Sequence, residues 1–122
     1  MVIGINEYSD IPIYIQIRDQ IVMGISVGVL LPGEQLPTVR ALAMDMGVNT
    51  MTVSKAYQQL KQEGYIVTDR RSGARISANF KPKGGIGENN FLQLKRIASE
   101  AKVDGMSEEQ FLAECRKAYG GK

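Results

Sequence analysis

The sequence predicts a mainly α-helical fold with a small β wing, and three observations carry it. Two short helical patterns, residues 36–43 and 47–57, follow one another with only a glycine turn between them. Beyond Gly64 the helical period gives way to a β-prone run, a turn and a second short β-prone run. A Pro/Gly-containing stretch then separates these elements from two further amphipathic helices. Consecutive capped helices joined by a tight turn are the grammar of a helix-turn-helix, and a following hairpin makes it the winged form. The expected organisation is a winged helix-turn-helix over residues 1–80, a linker over 81–87 and a two-helix tail over 88–122.

The first helix is expected within residues 10–30. Asp10 can cap it, Pro12 suits a first turn, and Ile13, Ile17, Ile21 and Ile25 recur every four residues. That β-branched density would also suit a strand; helical spacing and the early proline decide for helix. The segment from Ser26 to Gly28 ends it, and Pro32-Gly33 marks a turn. Thr38 opens the second helix, with Val39, Leu42, Ala43 and Met46 as its buried stripe and Gly47 as its left-handed cap. Asn49 caps the third helix, which runs to Glu63 and buries Val53, Ala56, Tyr57 and Leu60. Tyr65-Ile66-Val67-Thr68 and Arg75-Ile76-Ser77 read as strands around the turn Arg70-Arg71-Ser72-Gly73. In the tail, Phe91, Leu94, Ala98 and Ala101 form one stripe. Ser107 with Gln110 forms a capping box for a last helix burying Phe111, Leu112, Cys115, Ala118 and Tyr119.

Composition narrows the chemistry. The chain has one cysteine, Cys115, and no histidine, which removes histidine-dependent metal sites and catalytic triads and leaves the thiol without a base. No phosphate loop or paired carboxylates are present, so neither an enzyme nor a cofactor or metal site is expected. Residues 1–7 lack a positive n-region and a long apolar core, and no apolar run approaches the ~18 residues of a membrane helix. The expectation is a cytoplasmic protein that needs no membrane. The net charge of +2 arises wholly after residue 80: residues 1–80 carry seven basic and seven acidic side chains. Within residues 50–75, however, Lys55, Lys61, Arg70, Arg71 and Arg75 face only Glu63 and Asp69. Positive charge is focused on the third helix and the wing.

A reading helix presents its first turns to base edges in the major groove. Thr50, Ser54 and Lys55 offer hydrogen bonds, and Met51 can touch a thymine methyl. Thr38, Asn49 and Thr52 stand at helix starts, where free N–H groups favour phosphate; Thr38 and Asn49 serve as caps with or without DNA. Arg40 can fork onto guanine or hold a phosphate, and a bidentate base contact discriminates by about 1–3 kcal/mol. Lys55 and Gln58 also fit a solvated helix face. Arg70 and Arg71 at the hairpin tip suit backbone or minor groove, or plain surface charge.

The blocks Pro12-Ile13-Tyr14-Ile15-Gln16-Ile17, Pro32-Gly33-Glu34-Gln35-Leu36-Pro37-Thr38-Val39-Arg40 and Val48-Asn49-Thr50-Met51-Thr52-Val53 resemble the N-terminal domain of GntR-family bacterial transcription regulators. The resemblance spans about residues 10–78 in unbroken order. It implies a homodimer on an inverted-repeat operator, with Arg40, Thr50, Met51 and Ser54 reading bases and Gly73 at the wing tip approaching the minor groove. The wing departs from the family pattern, with Arg71 at the first glycine position and Arg75 at the aromatic one. The short tail resembles the YtrA-like subfamily, where it serves dimerisation, and implies a repressor of its own operon, often with transporter genes.

The tail's chemistry agrees. Two amphipathic helices on a glycine linker leave their stripes uncovered, and a symmetric partner is their natural cover. The expected dimer interface is Phe91, Leu94, Ala98, Phe111, Leu112, Cys115 and Tyr119. A drug-sized pocket of ~300–1,000 Å³ needs more wall than this tail offers. A small effector between paired tails is left open, with no polar constellation to identify it. The competing reading is a winged-helix module for protein–protein contact without sequence-specific DNA binding, which the near-neutral N-terminal domain favours. Steep salt dependence and site preference on DNA would exclude it.

Overall fold

The computed structural model describes residues 3–120, so the outermost residues of the predicted 1–80 and 88–122 segments lie outside the described range. The elements in order are α1 (Ile13–Ser26), α2 (Val39–Met46), α3 (Thr50–Gln62), β1 (Ile66–Asp69), β2 (Gly73–Ile76), α4 (Glu88–Val103) and α5 (Glu108–Gly120). The fold is mainly helical with one small antiparallel sheet, and the chain divides into two compact units between Lys81 and Pro82. Among the described residues no helix is long and apolar enough to cross a membrane.

The first unit is built around α3. Its Val53, Ala56, Tyr57 and Leu60 meet Ile17 and Ile21 of α1, Leu42 and Ala43 of α2, and Ile66, Ala74 and Ile76 of the hairpin. No polar or charged residue is buried among the described residues, so cohesion here is apolar packing. Leu30 and Leu36, from the segment between α1 and α2, close the core.

The start of α1 differs from the sequence expectation. Asp10 caps nothing; Pro12 is the N-cap residue, and its carbonyl accepts from the Ile15 and Gln16 amides. The helix therefore begins at Ile13 rather than near residue 10. The residues before it are held by glutamines one turn apart. Gln16 accepts from the Asn6 amide at 2.8 Å and donates to the Asn6 and Ile11 carbonyls. Gln20 pairs with both backbone groups of Gly4. Val27 and Gly28 terminate the helix, the glycine at φ +80°.

The two strands pair from Ile66↔Ile76 to Asp69↔Gly73. The segment before α2 adds a further rung on the other edge of β2: Leu36 N–H donates to the Ala74 carbonyl and Ile76 N–H to the Glu34 carbonyl, both at 2.8 Å. The wing is thereby tied to the chain entering α2.

Arg18 joins α1 to the end of α3. Its guanidinium donates to both Glu63 carboxylate oxygens, at 2.9 and 2.7 Å, and to Asp19 at 2.8 Å, and it lies 5.7 Å from the centre of the Tyr65 ring. Tyr65 in turn stacks on Phe80, with ring centres 5.0 Å apart.

The tail differs from expectation in burial. The capping box forms, with Ser107 Oγ accepting from the Gln110 amide and Gln110 Oε1 from the Ser107 amide. No residue of α4 or α5 is buried, however. Phe111 and Cys115 are half-buried, while Leu112, Ala118 and Tyr119 are exposed. Helical spacing selects the apolar face, but α4 and α5 do not bury it in one another.

The Arg18 hydrogen bonds hold the Glu63 carboxyl below its usual range, with burial opposing. A carboxylate pKa lowered on folding adds stability above the unfolded value of about 4.3 and loses it as pH falls through the folded value. Glu63→Gln is expected to lower stability at pH 7 by about 1 kcal/mol, since both partners retain some solvent. It should also flatten the acid limb of the stability profile below about pH 4.3. Denaturant unfolding from pH 7 downward checks both.

Candidate nucleic-acid interface

The turn between α2 and α3 is built by caps. Thr38 Oγ1 accepts from the Ala41 amide at 3.0 Å and opens α2. Gly47 closes it in the left-handed region at φ +68°, and Val48 N–H returns to the Ala43 carbonyl at 3.0 Å. Asn49 Oδ1 then accepts from the Met51 amide at 2.8 Å and opens α3. Gly47 and Asn49 thus turn the chain from α2 into α3.

Tyr57 locks α3 against this turn. Its hydroxyl donates to the Pro37 carbonyl at 2.8 Å, and burial pushes the phenol up to about 12. The outward side of α3 is left as a ridge between two grooves. On one flank Ile13 and Tyr14 of α1 face Met51, Thr52, Ser54, Lys55 and Gln58. On the other, a cavity of about 320 Å³ brings Thr38, Ser54, Gln58, Lys61 and Gly73 together with Asp69. Ser54 and Gln58 line both, so they form the crest.

Met51, Lys55 and Gln58 are exposed, Met51 at 76%. Asn49 and Thr50 are exposed at the start of α3, and Arg40 is exposed in the first turn of α2. The predicted residues therefore gather on the turn, the ridge and the hairpin. Arg70 and Arg71 stand exposed on the hairpin tip, where Gly73 adopts φ +72°.

Two features of the hairpin were not legible in its sequence. Asp69 Oδ1 accepts from the Arg71 amide at 2.8 Å, and Gln35 donates to the Ser72 carbonyl at 2.8 Å, so the tip is fastened from both sides. The Asp69 carboxyl is lowered chiefly by that Arg71 amide. Arg75 lies in β2, the strand the sequence assigns it to. Its guanidinium donates to the Gly33 carbonyl at 3.3 Å, because pairing with the 33–36 segment turns it away from the tip.

Charge pairing sorts the cations. Arg18 is committed to Glu63 and Asp19. Among the described residues Arg40, Lys55, Arg70 and Arg71 form no salt bridge. The Lys55 ammonium instead lies 4.2 Å from the centre of the Tyr14 ring, a neighbour that sequence spacing alone did not supply. No cluster of three His, Cys, Asp or Glu able to hold a metal occurs among the described residues.

The profile described as "Bacterial regulatory proteins, gntR family" matches residues 13–76, from the start of α1 to the end of β2. The chain belongs to the gntR family. Two of the relatives that extend over the tail are YtrA proteins. It is 39% identical over 110 residues to the HTH-type transcriptional repressor YtrA of Bacillus subtilis, covering 88% of this chain and 85% of that one. YtrA from Sulfolobus acidocaldarius, a GntR-family transcription factor, aligns in structure with a TM-score of 0.61 at 35% identity, over 98% of this chain and 97% of that one. AraR(DBD), solved in complex with an operator, aligns with a TM-score of 0.54 at 26% identity, over 61% of this chain and 92% of that one. The chain is thus a transcription regulator of the family.

The Thr38 cap sets where α2 begins. Thr38→Val removes the acceptor for the Ala41 amide and should cost about 1 kcal/mol, with Thr38→Ser close to wild type. Thermal unfolding of the two variants measures the difference.

Proposed function

We propose that the chain is a repressor that binds an inverted-repeat operator as a homodimer in the cytoplasm. The unit ending at Lys81 binds DNA, the 81–87 segment links, and the α4–α5 tail makes the dimer. The observation that carries the reading is the outward side of α3, where Lys55, which forms no salt bridge among the described residues, stands beside Met51, Thr52, Ser54 and Gln58. Arg40, Thr50, Met51 and Ser54 read bases. Thr38, Asn49, Thr52, Lys55 and Gln58 hold the backbone or the groove edge. Arg70, Arg71 and Gly73 approach the minor groove.

Dimerisation is supported by exposure. Phe91 at 54%, Leu94 at 37% and Leu112 at 43% are large apolar side chains on helices that bury no residue. Ala98, Phe111, Cys115 and Tyr119 complete the proposed interface. Two-fold pairing of such tails covers the stripes and doubles the DNA-binding units, which a palindromic site matches. Repression is the activity in the name of the Bacillus relative.

Sequencing the genomic fragments retained by the purified protein tests this reading. One enriched motif with two-fold symmetry is expected, and enrichment no better than bulk DNA would overturn it. Sedimentation should give a dimer at micromolar concentration, and Phe91→Asp should shift it toward monomer. Arg71→Ala is expected to weaken operator binding and to reduce the salt slope by about one, as loss of one phosphate-neutralising cation does. Unchanged affinity and slope would remove Arg71 from the interface.

A further inference from the structure

We propose that Tyr14 is a positioning residue for DNA binding: its ring face holds the Lys55 ammonium on the flank of α3, aimed at a phosphate. The inference rests on the DNA-binding reading above. The Lys55 Nζ lies 4.2 Å from the Tyr14 ring centre, within the range of a cation–π contact. Tyr14 stands in the first turn of α1, partly buried and packed against the core, so its ring is a fixed platform. Lys55 projects from α3 into the groove that Tyr14 lines with Ser54 and Gln58.

The type of contact matters more than its strength. A lysine on an exposed helix face has a flexible stem and loses much rotamer freedom on binding. A carboxylate partner would immobilise it but cancel the charge that DNA needs, as Glu63 and Asp19 do for Arg18. An aromatic face orients the ammonium and leaves its charge intact. Among the described residues Lys55 forms no salt bridge, and residues 1–80 carry no net charge. Attraction to phosphate therefore depends on a few cations that are placed without being neutralised. Lys55 over Tyr14 is built that way.

The test is a double-mutant cycle read by fluorescence anisotropy across a salt series. The probes are the top fragment from the genomic selection and a short mixed-sequence duplex. Tyr14→Phe keeps the ring face and should bind within about two-fold of wild type. Tyr14→Leu should weaken binding about two- to five-fold, the scale of an exposed cation–π contact. Lys55→Gln should lower the salt slope by about one. Tyr14→Leu should then add nothing in the Lys55→Gln background. An equal loss from Tyr14→Leu in both backgrounds would overturn the proposal, and so would a Tyr14→Phe loss matching Tyr14→Leu, which would place the hydroxyl itself on DNA.

A second readout needs no destabilised variant. The Lys55 ε-methylene protons of the wild-type chain should be shifted upfield by the Tyr14 ring current relative to those of Lys61. Random-coil positions would overturn the contact outright. A wild-type chain that shows the ring-current shift yet binds no duplex would overturn the DNA-binding reading instead, and this inference with it.

Discussion

The rest of the winged unit depends on one demand placed on α3. The same thirteen-residue helix is the centre of the core and the exposed ridge of the candidate interface. Val53, Ala56, Tyr57 and Leu60 account for one face, and each is buried against α1, α2 or the hairpin. Met51, Lys55 and Gln58 account for the other. A helix presents two such faces only while its rotation about its own axis is fixed, because 100° per residue carries any slip straight from core to solvent. The buried stripe fixes that rotation. The Tyr57–Pro37 hydrogen bond and the Arg18–Glu63 pair then set its position along the axis, one near the middle and one at the end.

The wing is held by the same logic, through the backbone. Residues 33–36 form a rung on β2 and lead directly into the cap of α2. Gln35 reaches the carbonyl of Ser72 at the hairpin tip from that rung. A displacement of the hairpin therefore pulls on the start of α2, where Arg40 stands. The start of α2 and the hairpin, which line the same flank of the ridge, share one mechanical base. This matters for a unit with balanced charge. Diffuse positive charge tolerates misplacement by several ångströms within a Debye length of about 8 Å at physiological salt, whereas a few directed groups do not.

What the sequence made legible was whatever depends on local chemistry. Thr38, Gly47 and Asn49 perform the capping and turning expected of them, because a cap needs only its own next few residues. The buried stripe of α3 follows from period alone. Asp10 failed as a cap for an equally local reason: Pro12, two residues on, already provides the N-cap carbonyl and geometry. The features that escaped are long-range. Arg75 points to Gly33, Lys55 to Tyr14, and Arg18 to Glu63 at a separation of 45 residues. Periodicity marks each side chain as outward-facing and is silent on what it meets there. Recognition chemistry lives in that gap, since the sequence names the cations but not which of them a neighbour neutralises.

The tail shows the same gap from the apolar side. Spacing marks Phe91, Leu94, Phe111 and Leu112 as one kind of surface, and within a single chain that surface finds too little to cover it. Each exposed large apolar side chain forgoes about 1.5–3 kcal/mol of burial, so a unit with nothing buried among its described residues has little to offset its own ordering. In the proposed dimer a second copy resolves this deficit without new chemistry, by offering an identical stripe. In the proposed dimer the same event links two DNA-binding units, and the second then engages at an effective concentration set by the linker rather than by the bulk. On this reading the thermodynamic weakness of the tail and the electrostatic poverty of the winged unit have one remedy. Pairing stabilises the first and multiplies the few unneutralised cations of the second.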